Sequence, residues 1–201
     1  MQSFNIQDCI LYEDKDILVC HKPAGVAVQS ARFGMADMES SLKNHLALKT
    51  PGKMPYLGII HRLDQPVSGI LVFAKTPAAA KELNRQLTTS GFGKHYYALV
   101  AGTPEPTSAD LENFLVKDAR TNTSRICQKS TADAKLAKLH YDLVDTTFFA
   151  DIASAIPVTT SQLNIKLDTG RHHQIRVQLS GMGCPIIGDT KYNPDTPKLT
   201  A

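Results

Sequence analysis

Short apolar runs separated by turn-forming residues dominate this chain, and they constrain its fold more than any other feature. Between residues 111 and 167, polar turns separate four such runs, at 114–116, 126–128, 139–144 and 159–167. Two more runs, at residues 10–12 and 17–20, flank a charged turn near the start. Runs of this length joined by short polar turns predict strands with mostly antiparallel pairing.

Helical patterns are fewer. Residues Met38–Lys49 carry apolar side chains at helical spacing. Thr76 and Pro77 predict the N-cap and the first residue of a second helix, which runs to about Thr88. A third helix is expected over residues 171–180. We therefore expect an α+β fold, with a mixed, mostly antiparallel central sheet and flanking helices.

Length and composition indicate one ordinary globular domain. The 201 residues are 42% hydrophobic and 20% charged, which argues against disorder, collagen and coiled coil. No apolar run approaches the roughly 18 residues of a membrane span, and the first residues lack the order of a signal peptide. The four cysteines form no CxxC pair, so we expect reduced thiols in the core. A cytoplasmic protein without membrane association is the prediction.

The net charge of +3 is distributed unevenly. Residues 61–104 carry 5 basic and 2 acidic groups, and residues 161–201 carry 5 and 3. If the fold brings these segments together, they form a modest basic cleft that attracts phosphates. Solvated surface charge explains the same excess equally well on this pattern alone.

Asp64 is the first candidate for chemistry. Residues 56–63 and 68–75 predict two strands, and Asp64 lies in the loop between them, two residues after Arg62. A carboxylate at the end of an apolar strand is held rigidly and faces a cleft. Taken alone, however, an aspartate in this setting more often forms a turn.

Two tyrosines and two arginines follow. Tyr96 and Tyr97 lie on a predicted strand and therefore point to opposite faces, so that one enters the core or a cleft. Arg171 and Arg176 stand five residues apart near a predicted helix start, which is not a same-face spacing, so we expect them to have different roles. An arginine can pair with a carboxylate or clamp a phosphate.

His172 is followed directly by His173, a pair that raises a metal-binding interpretation. Neighbouring helix positions diverge, and neither an HExxH motif nor a third ligand is apparent. We expect no metal.

Four motifs in order give the chain its resemblance to a known family. They are the turn Lys22-Pro23-Ala24-Gly25, the segment His61-Arg62-Leu63-Asp64 followed by residues 68–75, the strand bearing Lys94, Tyr96, Ala98, Val100 and Gly102, and the group Gly170-Arg171, residues 173–177, Gly188-Asp189 and Tyr192. Over about residues 17–192 the chain resembles the RluA-type family of RNA pseudouridine synthases. The resemblance implies a single catalytic domain over residues 1–201, without an S4-type domain.

The resemblance also implies roles for individual residues. Asp64 is the catalytic aspartate, and Tyr96 packs on the target base. Arg176, rather than Arg171, pairs with the aspartate. RNA contacts are implied for a further set: Lys22, His61, Arg62, Arg171, His173 and Gln174.

The implied reaction needs no cofactor, because pseudouridine is an isomer of uridine. Asp64 either attacks C1′ as a nucleophile or removes the 2′ proton, and the sequence does not choose between them. A stacked base must be flipped out first. The expected partner is a structured RNA, ribosomal or transfer, with no DNA, and the protein is expected to act as a monomer.

Departures from the family pattern leave alternatives open. Val67, His172 and Gln178 stand where other residue types are usual, and these changes affect RNA contacts rather than the catalytic trio. A glycoside hydrolase also uses an aspartate at an anomeric carbon but needs a second carboxylate, for which Asp168 and Asp189 are candidates. A catalytically inactive RNA-binding module is the other alternative.

Overall fold

The computed structural model describes residues 4–30, 35–89, 92–150 and 157–194. The chain divides into two compact units, Met1–Phe92 and Gly93–Ala201. Among the described residues each unit has its own antiparallel sheet and its own apolar core, which confirms the α+β class with antiparallel strands. Within the same part of the chain, every helix is too short or too polar to cross a membrane.

The first unit contains a four-stranded sheet with the order β1-β2-β4-β3. Its strands are β1 (Ile10–Glu13), β2 (Ile17–Lys22), β3 (Gly58–Ile59) and β4 (Gly69–Ala74). The strand predicted over residues 56–63 was wrong in length, since β3 has only two residues. Ile60 and Leu63 bury their side chains in two different apolar clusters instead of continuing the ladder, so the run is apolar without being a strand.

Two helices pack on β4 through alternate side chains. Helix α2 (Met38–Lys49) packs in one cluster with Leu71 and Phe73, whereas helix α3 (Pro77–Thr88) packs in another with Val72 and Ala74. Both helices have the predicted bounds. The Thr76 hydroxyl accepts a 3.1 Å hydrogen bond from the Ala79 N–H, which confirms the predicted N-cap. A short helix, α1 (Ile6–Cys9), was not predicted.

The second unit contains a five-stranded antiparallel sheet with the order β5-β9-β8-β6-β7. Its strands are β5 (His95–Ala101), β6 (Ser108–Asp118), β7 (Thr123–Cys127), β8 (Lys135–Ala150) and β9 (Pro157–Leu167). Helix α4 (Gln174–Gly181) packs on this sheet through Val177 and Leu179. It begins later than predicted, because His173 has a left-handed backbone (φ 53°) that no helix can include.

The cysteine prediction is confirmed in its main point. All four cysteines are free thiols, and Cys9, Cys20 and Cys184 are buried. Burial raises the pKa of Cys20 to about 12, so this thiol stays protonated and unreactive at neutral pH.

Candidate active site

The loop that carries Asp64 is hydrogen-bonded to Gly25, the glycine of the first motif. The Gly25 N–H donates to the Gln65 carbonyl at 2.9 Å, and the Gln65 side-chain amide donates back to the Gly25 carbonyl at 2.9 Å. The loop closes on itself through a bond from the Val67 N–H to the Asp64 carbonyl. Gly25 has φ 82°, a conformation that requires glycine here. Two reciprocal bonds therefore fix the backbone beside the partly buried Asp64 carboxylate.

Lys22 lies beneath this connection. It continues the buried face of β2 after Leu18 and Cys20, and its side chain has no exposed area. Its ammonium donates to the carbonyls of Pro23, Val26 and Gln65, at 2.9, 2.6 and 3.1 Å. All three donors of the ammonium are thus occupied by main-chain groups. This position does not fit the phosphate contact expected of Lys22; it fits a side chain that positions the Asp64 loop.

The charge on Lys22 also acts on Asp64. Burial lowers the pKa of the Lys22 ammonium from 10.5 to about 8, while the nearby Asp64 carboxylate opposes that shift. A pKa of about 8 leaves Lys22 positively charged at pH 7. The Asp64 carboxylate therefore lies within electrostatic range of a positive charge.

We expect Lys22→Met to destabilise the protein by about 2 kcal/mol or more, because it leaves three carbonyls without their donor. Urea unfolding measures this loss, and limited proteolysis reports loosening of the loop. Lys15→Met, at a side chain that is 90% exposed, serves as the matched control and should be within about 0.5 kcal/mol of wild type. Equal stability of the two variants would contradict the anchoring role.

His61 and Arg62 line a pocket of about 420 Å³ beside the same loop. Arg62 is exposed, and its guanidinium makes no hydrogen bond or ion pair within the described residues. The His61 ring contacts the Phe92 ring edge-on, with centroids 5.2 Å apart. An exposed guanidinium at a pocket rim suits the predicted RNA contact.

In the second unit, Tyr96 and Tyr97 point to opposite faces of β5, as predicted. Tyr97 is 77% exposed. Tyr96 is partly buried and packs against the core cluster that contains Ala98 and Val100. Of the two, Tyr96 is the one anchored by packing, which is consistent with the role that the resemblance implies.

Arg176 forms an ion pair that the sequence did not reveal. Its Nε and Nη2 atoms donate to the two carboxylate oxygens of Asp189, both at 2.7 Å. The two side chains are 16% and 4% exposed. Burial alone raises the pKa of the Asp189 carboxyl, but the bonds from Arg176 and from two backbone N–H groups lower it below its ordinary value. The guanidinium is therefore held in one orientation by a two-point contact.

Tyr192 connects Arg176 to both histidines. The Arg176 guanidinium lies 5.0 Å from the centre of the Tyr192 ring. The Tyr192 hydroxyl accepts a 2.7 Å bond from the Ser124 N–H and lies 2.8 Å from Nδ1 of His173. His172 stacks on His173 at 3.7 Å and places its own Nδ1 2.9 Å from the Ser124 hydroxyl. These side chains form one hydrogen-bonded group at the start of α4.

The remaining predicted contacts differ in accessibility. Gln174 is 4% exposed, and its amide bonds to Thr169, to the Arg171 N–H and to the Lys138 carbonyl, so it supports the turn rather than facing a ligand. Arg171 is exposed, with Nε donating to the Leu136 carbonyl at 2.7 Å. Among the described residues no cluster of three or more histidine, cysteine, aspartate or glutamate side chains has a geometry suited to a metal ion.

The structure thus gives two sets of site residues. His61, Arg62 and Asp64 belong to the first unit, with Lys22 beneath them. Tyr96 and Arg176 belong to the second, where Asp189 and Tyr192 orient Arg176. The sequence motifs include Asp189 and Tyr192, but they do not predict that either residue orients Arg176. The convergence of Asp64 with Tyr96 and Arg176 stays a prediction.

Two solved structures share the fold of this chain. Human RNA Pseudouridylate Synthase Domain Containing 4 matches 97% of this chain and 72% of its own, with a TM-score of 0.75 and 24% identity. The alignment with Human RNA Pseudouridylate Synthase Domain Containing 1 covers 96% of this chain and 72% of that one, with a TM-score of 0.73 and 24% identity. The α+β architecture is therefore that of pseudouridylate synthase domains.

Sequence comparison identifies the family. Residues 16–181 match the family described as RNA pseudouridylate synthase. Ribosomal large subunit pseudouridine synthase D of Nitrosomonas europaea is 34% identical over 193 residues, which are 94% of this chain and 50% of that protein. Ribosomal large subunit pseudouridine synthase C of Escherichia coli K12 is 33% identical over 190 residues, which are 93% of this chain and 54% of that protein. The chain belongs to the RNA pseudouridylate synthase family and to its RluA-type members, and it spans about half the length of these curated relatives.

Proposed function

We propose that this chain is an RNA pseudouridine synthase that isomerises a uridine in structured RNA, most directly in large-subunit ribosomal RNA. The observation that carries the proposal is the family match over residues 16–181, which includes the anchored Asp64 loop. The names of the relatives support ribosomal RNA over transfer RNA as the substrate.

Asp64 starts the reaction in this proposal. It breaks the bond between N1 of the base and C1′ of the ribose, either by attacking C1′ or by removing the 2′ proton. The freed base turns and C5 bonds to C1′. This step displaces the Asp64 carboxylate from C1′ in the first route, or is accompanied by return of the 2′ proton to C2′ in the second. C5 then loses a proton while N1 gains one. Atoms and electrons therefore balance, and no cofactor is consumed.

Other side chains prepare the reaction. Tyr96, anchored in the core of its unit, supplies a flat surface for the flipped base. Arg176, oriented by Asp189, pairs with the Asp64 carboxylate and holds it in position. Arg62, Arg171 and His173 contact the RNA, whose phosphates compensate for the few kcal/mol that base flipping costs. These roles require the two units to act as one catalytic domain, and we propose a cytoplasmic monomer.

The lowered pKa of Asp189 disfavours this residue as the acid of a glycoside hydrolase. A hydrolase of either stereochemistry needs a protonated acid as one of its two carboxyl groups. Asp189 is held ionised by Arg176, so it is a poor proton donor at neutral pH.

The test is isomerisation by the purified protein. We expect pseudouridine to form in transcribed large-subunit ribosomal RNA in a buffer that contains EDTA and no added cofactor. Carbodiimide labelling followed by primer extension locates the modified position. Pseudouridine in transfer RNA alone would overturn the proposed substrate, and none in either RNA would overturn the proposed activity.

A further inference from the structure

The second unit contains a basic pocket of about 410 Å³, which we call the lysine pocket. Its charged and polar lining comprises Lys117, Ser124, Asp133, Lys135, Arg171 and His172. The pocket lies where the turn before α4 faces the ends of β6, β7 and β8. Neither the motifs nor the family roles described above assign a function to Lys117 or Lys135.

Sheet register places both lysines on one face. Lys135 is paired directly with Leu115, and directly paired residues share a face. Lys117 lies two residues after Leu115 on the same strand, so it shares that face too. Leu115 is buried against Val177 of α4, which shows that this is the helix-covered face. The lysines therefore extend beyond the part of the sheet that the helix covers.

No ion pair within the described part of the chain neutralises the cations of the pocket. Neither Lys117 nor Lys135, both exposed, makes a hydrogen bond or ion pair with any residue that the structure describes. The Arg171 guanidinium bonds only through Nε within the same residues, which leaves its terminal nitrogens available. Asp133 also lines the pocket, and no ion pair joins it to these cations. Three cations against one carboxylate attract an anion.

The pocket is also preorganised. The bond from Arg171 Nε to the Leu136 carbonyl holds the guanidinium, and the Ser124 hydroxyl holds the His172 ring. The Ser124 N–H in turn bonds the Tyr192 hydroxyl, whose ring contacts Arg176. An anion in the lysine pocket would therefore lie beside the group that orients Arg176, within the same unit.

We propose that the lysine pocket binds a backbone phosphodiester of the RNA substrate and sets the register of the RNA. This inference rests on the proposed function for the identity of the RNA. Phosphate contacts position a nucleic acid without reading its sequence. The site is accordingly expected to contribute to affinity rather than to the chemical step.

The test compares two double variants of equal charge. Lys117→Ala with Lys135→Ala removes the lysines of the pocket, and Lys129→Ala with Lys166→Ala removes two exposed lysines of the same unit. Binding is measured by fluorescence anisotropy, at several salt concentrations, to a ribosomal stem-loop in which every uridine is replaced by cytidine. We expect the first pair to weaken binding about 10-fold and to reduce the salt slope by about 1 or more. The control pair should change binding about 2-fold or less.

Three outcomes decide the proposal. An equal loss of RNA affinity in both double variants would overturn it. Tight binding of inorganic phosphate to the wild type, without any loss of RNA affinity in the pocket variant, would also overturn it. Loss confined to the pocket variant supports it, even if the wild-type protein forms no pseudouridine. In an active enzyme, the pocket variant should raise KM and leave kcat within about 2-fold.

Discussion

Asp64→Asn is expected to abolish pseudouridine formation, with a loss of about 10⁴-fold or more in kcat. Asparagine has nearly the same shape, but it cannot attack C1′ and cannot accept the 2′ proton. Because the loop is held by Gly25 and Gln65 main-chain bonds and by the Gln65 amide, the substitution should leave its backbone in place. The measurement is single-turnover isomerisation of the target ribosomal RNA.

The matched control is Asp8→Asn, which removes an exposed carboxylate from the same unit. It should retain full activity, and both variants should bind RNA within about 3-fold of the wild type. Undiminished turnover in Asp64→Asn would remove this residue from the mechanism. Loss of RNA binding together with activity would instead assign it to substrate binding.

Asp189→Asn is expected to cost about 2 to 4 kcal/mol of stability and about 100-fold in kcat. The stability loss follows because Arg176, only 16% exposed, loses the carboxylate that binds two of its nitrogen atoms. The rate loss follows from the proposed pairing of Arg176 with Asp64, because a guanidinium displaced by about 1 Å would no longer hold that carboxylate in its productive position. Urea unfolding and single-turnover kinetics measure the two effects.

Asp110→Asn supplies the comparison, because Asp110 also belongs to an ion pair, with His140, but is 85% exposed. Asp110→Asn should lower the free energy of unfolding by less than about 1 kcal/mol and leave kcat unchanged. The pH dependence gives a second readout. Since the folded pKa of Asp189 lies below its ordinary value of 3.8, its contribution to stability is complete above that value and is lost as the pH falls below it. A stability difference that persists unchanged at pH 2, or equal effects of the two substitutions, would contradict this account.

Local signals predicted local structure well. Helices α2 and α3 have the predicted bounds because an N-cap and a helical apolar pattern act within a few residues. Strand β3 was overestimated because an apolar run does not reveal whether its side chains lie on a ladder or pack elsewhere. The start of α4 was placed too early because a left-handed residue such as His173 leaves no pattern in the sequence.

The site residues show the same division. Motif residues such as Asp64 and Tyr96 could be singled out because their order along the chain is specific. The burial of Lys22 could not be predicted, since one of the carbonyls that bind it belongs to Gln65, far along the chain. The ion pair between Arg176 and Asp189 is likewise set by how the chain after α4 folds back.

The bonds between Gly25 and Gln65 have a consequence for how related chains can diverge. They join the two ends of the segment between Gly25 and Gln65. An insertion within this segment therefore lengthens a chain whose ends are already held together by hydrogen bonds. Doubling the length of such a loop adds only about 0.6 kcal/mol of closure entropy. The backbone beside Asp64 can therefore keep its place while the intervening chain changes length.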